Sequence, residues 1–87
     1  MNNIDIVQFK RDICEILDLS IDPNDISTNT NIIKEFLLDS LSIVDLMIGL
    51  EEKYKIEIRE SDLLEIDSLS KLHCLINNKI KRLEKTN

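Results

Sequence analysis

The sequence predicts an all-α fold: a four-helix bundle with a long connection between its first two helices and a short third helix, forming one domain over residues 1–87. Three observations carry that prediction. One glycine, one proline and an aromatic content of 3% leave little for hairpin turns and strands. Apolar residues recur at steps of three and four over most of the chain. A composition of 43% hydrophobic and 32% charged residues is that of a folding chain, without the signature of disorder. A chain of this size buries only about 60–65% of its unfolded surface, which leaves little room for an internal active site.

Each element follows in order. Ile6, Phe9, Ile13 and Ile16 or Leu17 mark an amphipathic first helix from about residue 4, stopping near Asp18 to Ser20. A connection rich in Pro, Asn, Asp, Ser and Thr runs from there to Asp39. A structureless loop of about twenty residues is unusual in a compact domain unless it has a function. Here Ile26, Ile32, Ile33 and Phe36 are spaced to pin it onto the core, with a helical turn at Asn31 to Phe36. A second helix is predicted from about Ser40 to Tyr54. Lys55-Ile56-Glu57-Ile58 alternates like a strand but has no partner strand, so it reads as an extended connector that buries Ile56 or Ile58. Ser61 to Leu64 form the short third helix. Asp67 or Ser68 caps a last helix, with Leu69, Leu72, Ile76, Ile80 and Leu83 on one stripe.

Charge narrows the function classes. The formal net charge is −6, which disfavours nucleic acids and anionic membranes, since phosphate contacts need a basic surface. Basic patches on protein partners are attracted instead. The acids concentrate between Glu35 and Asp67, whereas Lys79, Lys81, Arg82 and Lys85 suit the dipole of a helix C-terminus. No basic leader with a long apolar run and no membrane-spanning stretch is present, so the expectation is a monomeric, cytoplasmic protein. Cys14 and Cys74 lack metal-ligand spacing and read as half-buried core filler, with a disulfide between them left open. With one histidine, no Gly-rich phosphate loop and no metal-ligand cluster, the sequence does not read as an enzyme. His73 reads as a boundary residue and Glu51-Glu52 as a solvated face rather than a carboxylate dyad.

The second helix carries the most information. At about 100° per residue, Ile43, Leu46, Met47, Leu50 and Tyr54 share one arc of roughly 100°, an ordinary core face. Leu41, Val44 and Ile48 fall on the opposite arc among Asp45, Glu51 and Glu52. Carboxylates resist burial, so this second stripe reads as a docking surface: apolar knobs for contact, acids for steering. Gly49 lies on the flank of that arc. It costs about 1 kcal/mol relative to Ala, and either permits a close approach or has no role. Asp39, Ser40 and Ser42 are all good N-cap residues, and Ser42 with Asp45 resembles a capping box. On the reading that Ser40 is the cap, Ser40→Ala costs about 1 kcal/mol.

These segments together resemble the acyl carrier proteins over nearly the whole chain. The resemblance rests on the D-S-L motif at Asp39, Ser40 and Leu41, followed by Ile43-Val44-Asp45-Leu46 and Leu50-Glu51-Glu52-Lys53-Tyr54. It implies that Ser40 carries a covalent 4′-phosphopantetheine derived from coenzyme A, with Asp39 beside it to orient the hydroxyl or a metal ion of the modifying enzyme. Its phosphodiester would lie near free N–H groups at the positive end of the helix dipole. It also implies that Leu41, Val44, Asp45, Ile48, Glu51 and Glu52 face basic patches on a phosphopantetheinyl transferase, activating enzymes and synthases. Acyl groups would ride on the arm as thioesters in fatty-acid, polyketide or related biosynthesis, and a fatty chain could slip between the helices. The sequence departs from the family where Leu37 replaces a common glycine and where Ser42 replaces a common acid. The ending Leu38-Asp39-Ser40 also resembles D-alanyl and other aminoacyl carriers. An unmodified acidic adaptor is the reading outside the carrier class.

Overall fold

The computed structural model describes residues 4–85, with side chains described as far as Arg82. Asp5 opens α1 (Ile6–Leu17) by accepting the Val7 N–H, and the chain leaves the helix through Asp18, which adopts the left-handed conformation at φ 55°. A short polar residue tolerates that conformation. Phe9 and Ile13 are fully buried on the inner face. The connection to the next long helix is structured, as its spaced apolar residues predict. Pro23–Asp25 form one 3₁₀ turn, and Asn31 caps a one-turn α2 (Ile32–Glu35) by accepting the Lys34 N–H at 3.2 Å. Ile26 and Ile32 are buried, and Ile33 and Phe36 pack on the core.

Helix α3 spans Ser40–Tyr54 and buries Ile43, Leu46 and Leu50, with Met47 and Tyr54 partly covered. The following connector buries both Ile56 and Ile58. Helix α4 (Glu60–Leu64) contributes Leu63, and α5 (Leu69–Lys85) contributes Leu69, Leu72 and Ile76. The side chains of Leu83 and Lys85 lie outside the described ones. No strand occurs among the described residues. α1 packs against both α3 and α5, and α4 lies on α3. The sequence pattern thus fixes an all-α bundle whose four predicted helices are α1, α3, α4 and α5.

Backbone groups of the long connection close the bundle. Thr30 O accepts the Leu69 N–H at 2.7 Å and Thr28 O accepts that of Ser70 at 2.9 Å. The Ser68 hydroxyl accepts the Lys71 N–H at 3.2 Å. The loop therefore caps α5 as well as covering the core, which offsets donors that a helix start otherwise leaves unsatisfied.

A polar seam joins α1 to the end of α3. Asp12 is the one buried charged residue among those described. It accepts hydrogen bonds from the Tyr54 hydroxyl and, at 3.0 Å, from Gln8 Nε2. Lys53 Nζ lies 4.0 Å from Asp12 and 2.9 Å from Glu15. Burial first, and the bond to Asp12 second, push the Tyr54 phenol well above its ordinary pKa. Next to this seam, a Cβ built on Gly49 would lie 2.6 Å from Ile16 Cγ2 and 2.8 Å from Cγ1. Gly49 thus serves the contact of α3 with α1 rather than the docking arc.

Two expectations need correction. Cys14 is buried but Cys74 is exposed on α5, and both thiols are free. Burial raises the Cys14 pKa, with the Asp22 charge adding to the effect. Ser42 and Asp45 do not form a capping box, because Ser42 already lies inside α3 and donates its own N–H to Asp39. His73 is the predicted boundary residue: half-buried, with its ring 5.4 Å from that of Phe9, and hydrogen-bonded to the Ile4 carbonyl.

Candidate functional site

The site is assembled by the chain reversal between α2 and α3. Leu37 N donates to Lys34 O at 3.4 Å and Leu38 N to Ile33 O at 2.9 Å, which closes α2. Leu37 takes φ 53° to do so. A left-handed residue commonly closes a helix in this way, usually glycine; a leucine there costs roughly 1–2 kcal/mol. Leu38 then packs on the core while Leu37 is 86% exposed.

Asp39 follows in an extended conformation and is the N-cap of α3. Its carboxylate accepts the Ser42 N–H at 2.8 Å and its carbonyl accepts that of Ile43 at 2.9 Å. The Ser42 N–H, helped by the Ser42 hydroxyl, holds the Asp39 carboxyl below the usual carboxylate range. Asp39 is therefore an anion at neutral pH. Ser40 becomes the first helical residue rather than the cap, and it is exposed. No hydrogen bond engages its hydroxyl among the described residues.

The outer face of α3 continues from Ser40. Leu41 is 70% exposed, Val44 41% and Ile48 47%, with Asp45 and Glu52 also exposed. Their disposition matches the predicted second stripe. Glu51 departs from it: this residue is half-buried, and its Oε2 accepts the Ile58 N–H at 2.8 Å. One carboxylate assigned to docking thus also anchors the connector after α3. Beyond that end of the helix, Lys55, Arg59, Lys79 and Arg82 border an open cleft of about 560 Å³, at the opposite end of α3 from Ser40.

Chemically, Ser40 is an accessible primary hydroxyl with no base to activate it. The single histidine is engaged on α5, and no group of three or more His, Cys, Asp or Glu side chains gathers to hold a metal among the described residues.

Comparison with known proteins agrees with this geometry. A family model described as a phosphopantetheine attachment site matches residues 5–73. An acyl carrier protein of Buchnera aphidicola subsp. Schizaphis graminum is 33% identical over 82 residues, covering 94% of this chain and 100% of that protein. Another, from Campylobacter jejuni (strain RM1221), is 39% identical over 59 residues, covering 68% of this chain and 73% of that protein. The chain belongs to the acyl carrier protein family. As an acyl carrier protein it is a carrier and not an enzyme, with a covalently attached 4′-phosphopantetheine as its cofactor. The role brings it to a phosphopantetheinyl transferase and to biosynthetic enzymes. Among the described residues no helix is long and apolar enough to cross a membrane.

The residues around Ser40 fit the group. Ser40 is exposed, its hydroxyl makes no hydrogen bond among the described residues, and the first turn of α3 offers N–H donors to a phosphodiester. When bound, the group supplies a terminal thiol that holds cargo as a thioester.

Proposed function

We propose that Ser40 is the attachment residue and that the chain, as one carrier domain, shuttles thioester-bound acyl intermediates between cytoplasmic enzymes of fatty-acid, polyketide or related biosynthesis. The observation that carries this reading is an exposed hydroxyl, unused by the fold, at the start of a helix whose outer face is apolar and acidic. Asp39 holds the helix start in place, so Ser40 can be modified without dismantling a cap. Its negative charge also offers a contact for a cation held by the modifying enzyme. Leu41, Val44 and Ile48 supply apolar contact, and Asp45 and Glu52 steer basic patches on partners. Glu51 contributes through the shape of the α3 end as much as through its charge. A monomer suffices for this work, because Ser40 and the exposed outer face of α3 lie on one chain.

A second reading, an aminoacyl cargo, draws support from the core. The apolar cavity bordered by Ile32, Ile33, Leu46, Leu63, Ile66 and Leu72 holds only about 10 Å³, room for about one water. A long acyl chain would enter only if the helices lining this cavity moved apart, whereas a small cargo can stay on the outside. Offering the modified protein to acyl-activating and amino-acid-activating enzymes separates the two readings.

The attachment itself is tested by intact mass after incubation with coenzyme A and a broad-specificity phosphopantetheinyl transferase. The expected result is a gain of one phosphopantetheine by the wild-type chain and none by Ser40→Ala. A gain by both would move the attachment away from Ser40.

A further inference from the structure

We propose that Leu37 is a specificity-determining residue for the modification of Ser40, filling an apolar socket on the phosphopantetheinyl transferase; the proposal rests on Ser40 being the attachment residue. Leu37 is the most exposed large apolar side chain described, at 86%. It is also one of three non-glycine residues with positive φ among the described residues, at 53°. The other two, Asp18 and Lys55, are polar. An exposed leucine in a left-handed backbone loses twice. The conformation favours glycine, and the side chain makes no packing contact with the core in return. The turn that closes α2 needs a left-handed residue but not a leucine, so the exposed side chain points to a function outside the chain.

The same geometry presents the side chain rigidly. Hydrogen bonds at Leu37 N and Leu38 N close α2 on one side, and the Asp39 cap fixes α3 on the other. Leu37 therefore stands on a fixed turn three residues before Ser40, with Leu41, 70% exposed, directly after the serine. The attachment site is bordered on both sides by leucines turned to solvent.

The reaction determines what covers them. Ser40 Oγ forms a bond to the pantetheine-bearing phosphorus of coenzyme A, and the phosphoanhydride bond at that phosphorus breaks. Adenosine 3′,5′-bisphosphate leaves, and the hydroxyl proton passes to a base on the transferase. Bond formation requires the Oγ to lie at the reacting phosphorus inside the enzyme, so the surface flanking Ser40 is buried against the transferase. Enzymes that later act on the thiol work at the far end of the arm and do not have to approach so closely. Leu37 thus acts in modification and not in loading.

The test compares wild type with Leu37→Met, Leu37→Ala and Leu37→Gly, using the host's own transferase and coenzyme A. Each protein, once modified, is then offered to its activating enzyme. Losing a buried leucine corresponds to a drop in kcat/KM of about 10-fold or more. Leu37→Ala and Leu37→Gly should show that drop, mainly through KM. Leu37→Met should stay within about twofold, and loading should be unchanged in all. Leu37→Gly should also melt higher than wild type, by roughly 4–8 °C, so its slower modification would not reflect misfolding. Wild-type kcat/KM in the alanine and glycine variants would overturn the assignment, as would an equal loss in the loading step. A wild-type chain that takes up no arm at Ser40 would instead overturn the attachment reading, and the role of Leu37 with it.

Discussion

Replacing Gly49 by alanine sets two known effects against each other. Alanine is the better helix former, by about 1 kcal/mol. Its Cβ, however, would stand 2.6, 2.8 and 3.0 Å from Cγ2, Cγ1 and Cδ1 of Ile16. Two of these atoms are attached directly to the β-carbon of a β-branched side chain with little χ1 freedom, so the clash is relieved only if α1 and α3 separate. Overpacking of this kind costs about 1–3 kcal/mol. The net expectation is a loss of about 1 kcal/mol, or roughly 4–8 °C in Tm for a domain this size. Thermal unfolding followed by circular dichroism reads it directly. Ile16→Val removes only Cδ1 and should not rescue Gly49→Ala, whereas Ile16→Ala removes all three clashing atoms. The Ile16→Ala/Gly49→Ala pair should therefore lose less stability than the sum of the single changes. A higher Tm for Gly49→Ala alone would refute the close contact and leave helix propensity as the controlling term.

Four further predictions concern the site and the seam. Ser40→Ala should fold with at least wild-type Tm in thermal melts, since Asp39 and not Ser40 caps α3. Asp39→Asn keeps a cap but loses the anion. The Asp39 pKa is lowered on folding, so the wild-type advantage should be present above about pH 4, the ordinary value. It should vanish as pH falls through the folded value, as denaturation midpoints across pH would report. Asp45→Lys with Glu52→Lys should slow modification and flatten its salt dependence without lowering Tm; unchanged rates at low salt would reduce those acids to a solvated face. Tyr54 is the only tyrosine, so ultraviolet absorbance titration sees it alone. Its phenol should stay protonated above pH 10 in the folded state. Because the unfolded phenol ionises near its ordinary value of about 10, stability should fall as pH rises beyond that point.

The readable part of the fold was the part written as periodicity. Phe9 and Ile13 in α1, with Ile6 partly covered beside them, and Leu69, Leu72 and Ile76 in α5 repeat at helical spacing and turn inward as expected. The two-sided pattern of α3 likewise separates the buried Ile43, Leu46 and Leu50 from the exposed Leu41, Val44 and Ile48. What escaped the sequence depends on contacts between distant segments. Asp12 follows Lys10 and Arg11 in α1, and nothing local pairs it with Tyr54, 42 residues away. Position leaves Gly49 open between a close approach and no role, and only the packing of Ile16 against it decides for the close approach. Capping was ambiguous because Asp39, Ser40 and Ser42 are all competent; only the position of the first helical residue decides among them. The motif marks Ser40 as the candidate but carries no sign of the left-handed turn at Leu37. Backbone φ is not encoded in residue type, although a leucine replacing a common glycine was the available signal.

Ser40 is proposed to carry the arm. The most direct measurement is mass mapping of the protein isolated from its own host, after trypsin releases residues 35–53 with Ser40 and Ser42 in one peptide. One phosphopantetheine on that peptide, with fragment ions locating it to Ser40, is the predicted result. An unmodified Ser40 with the group on Ser42 or on any other residue would contradict it.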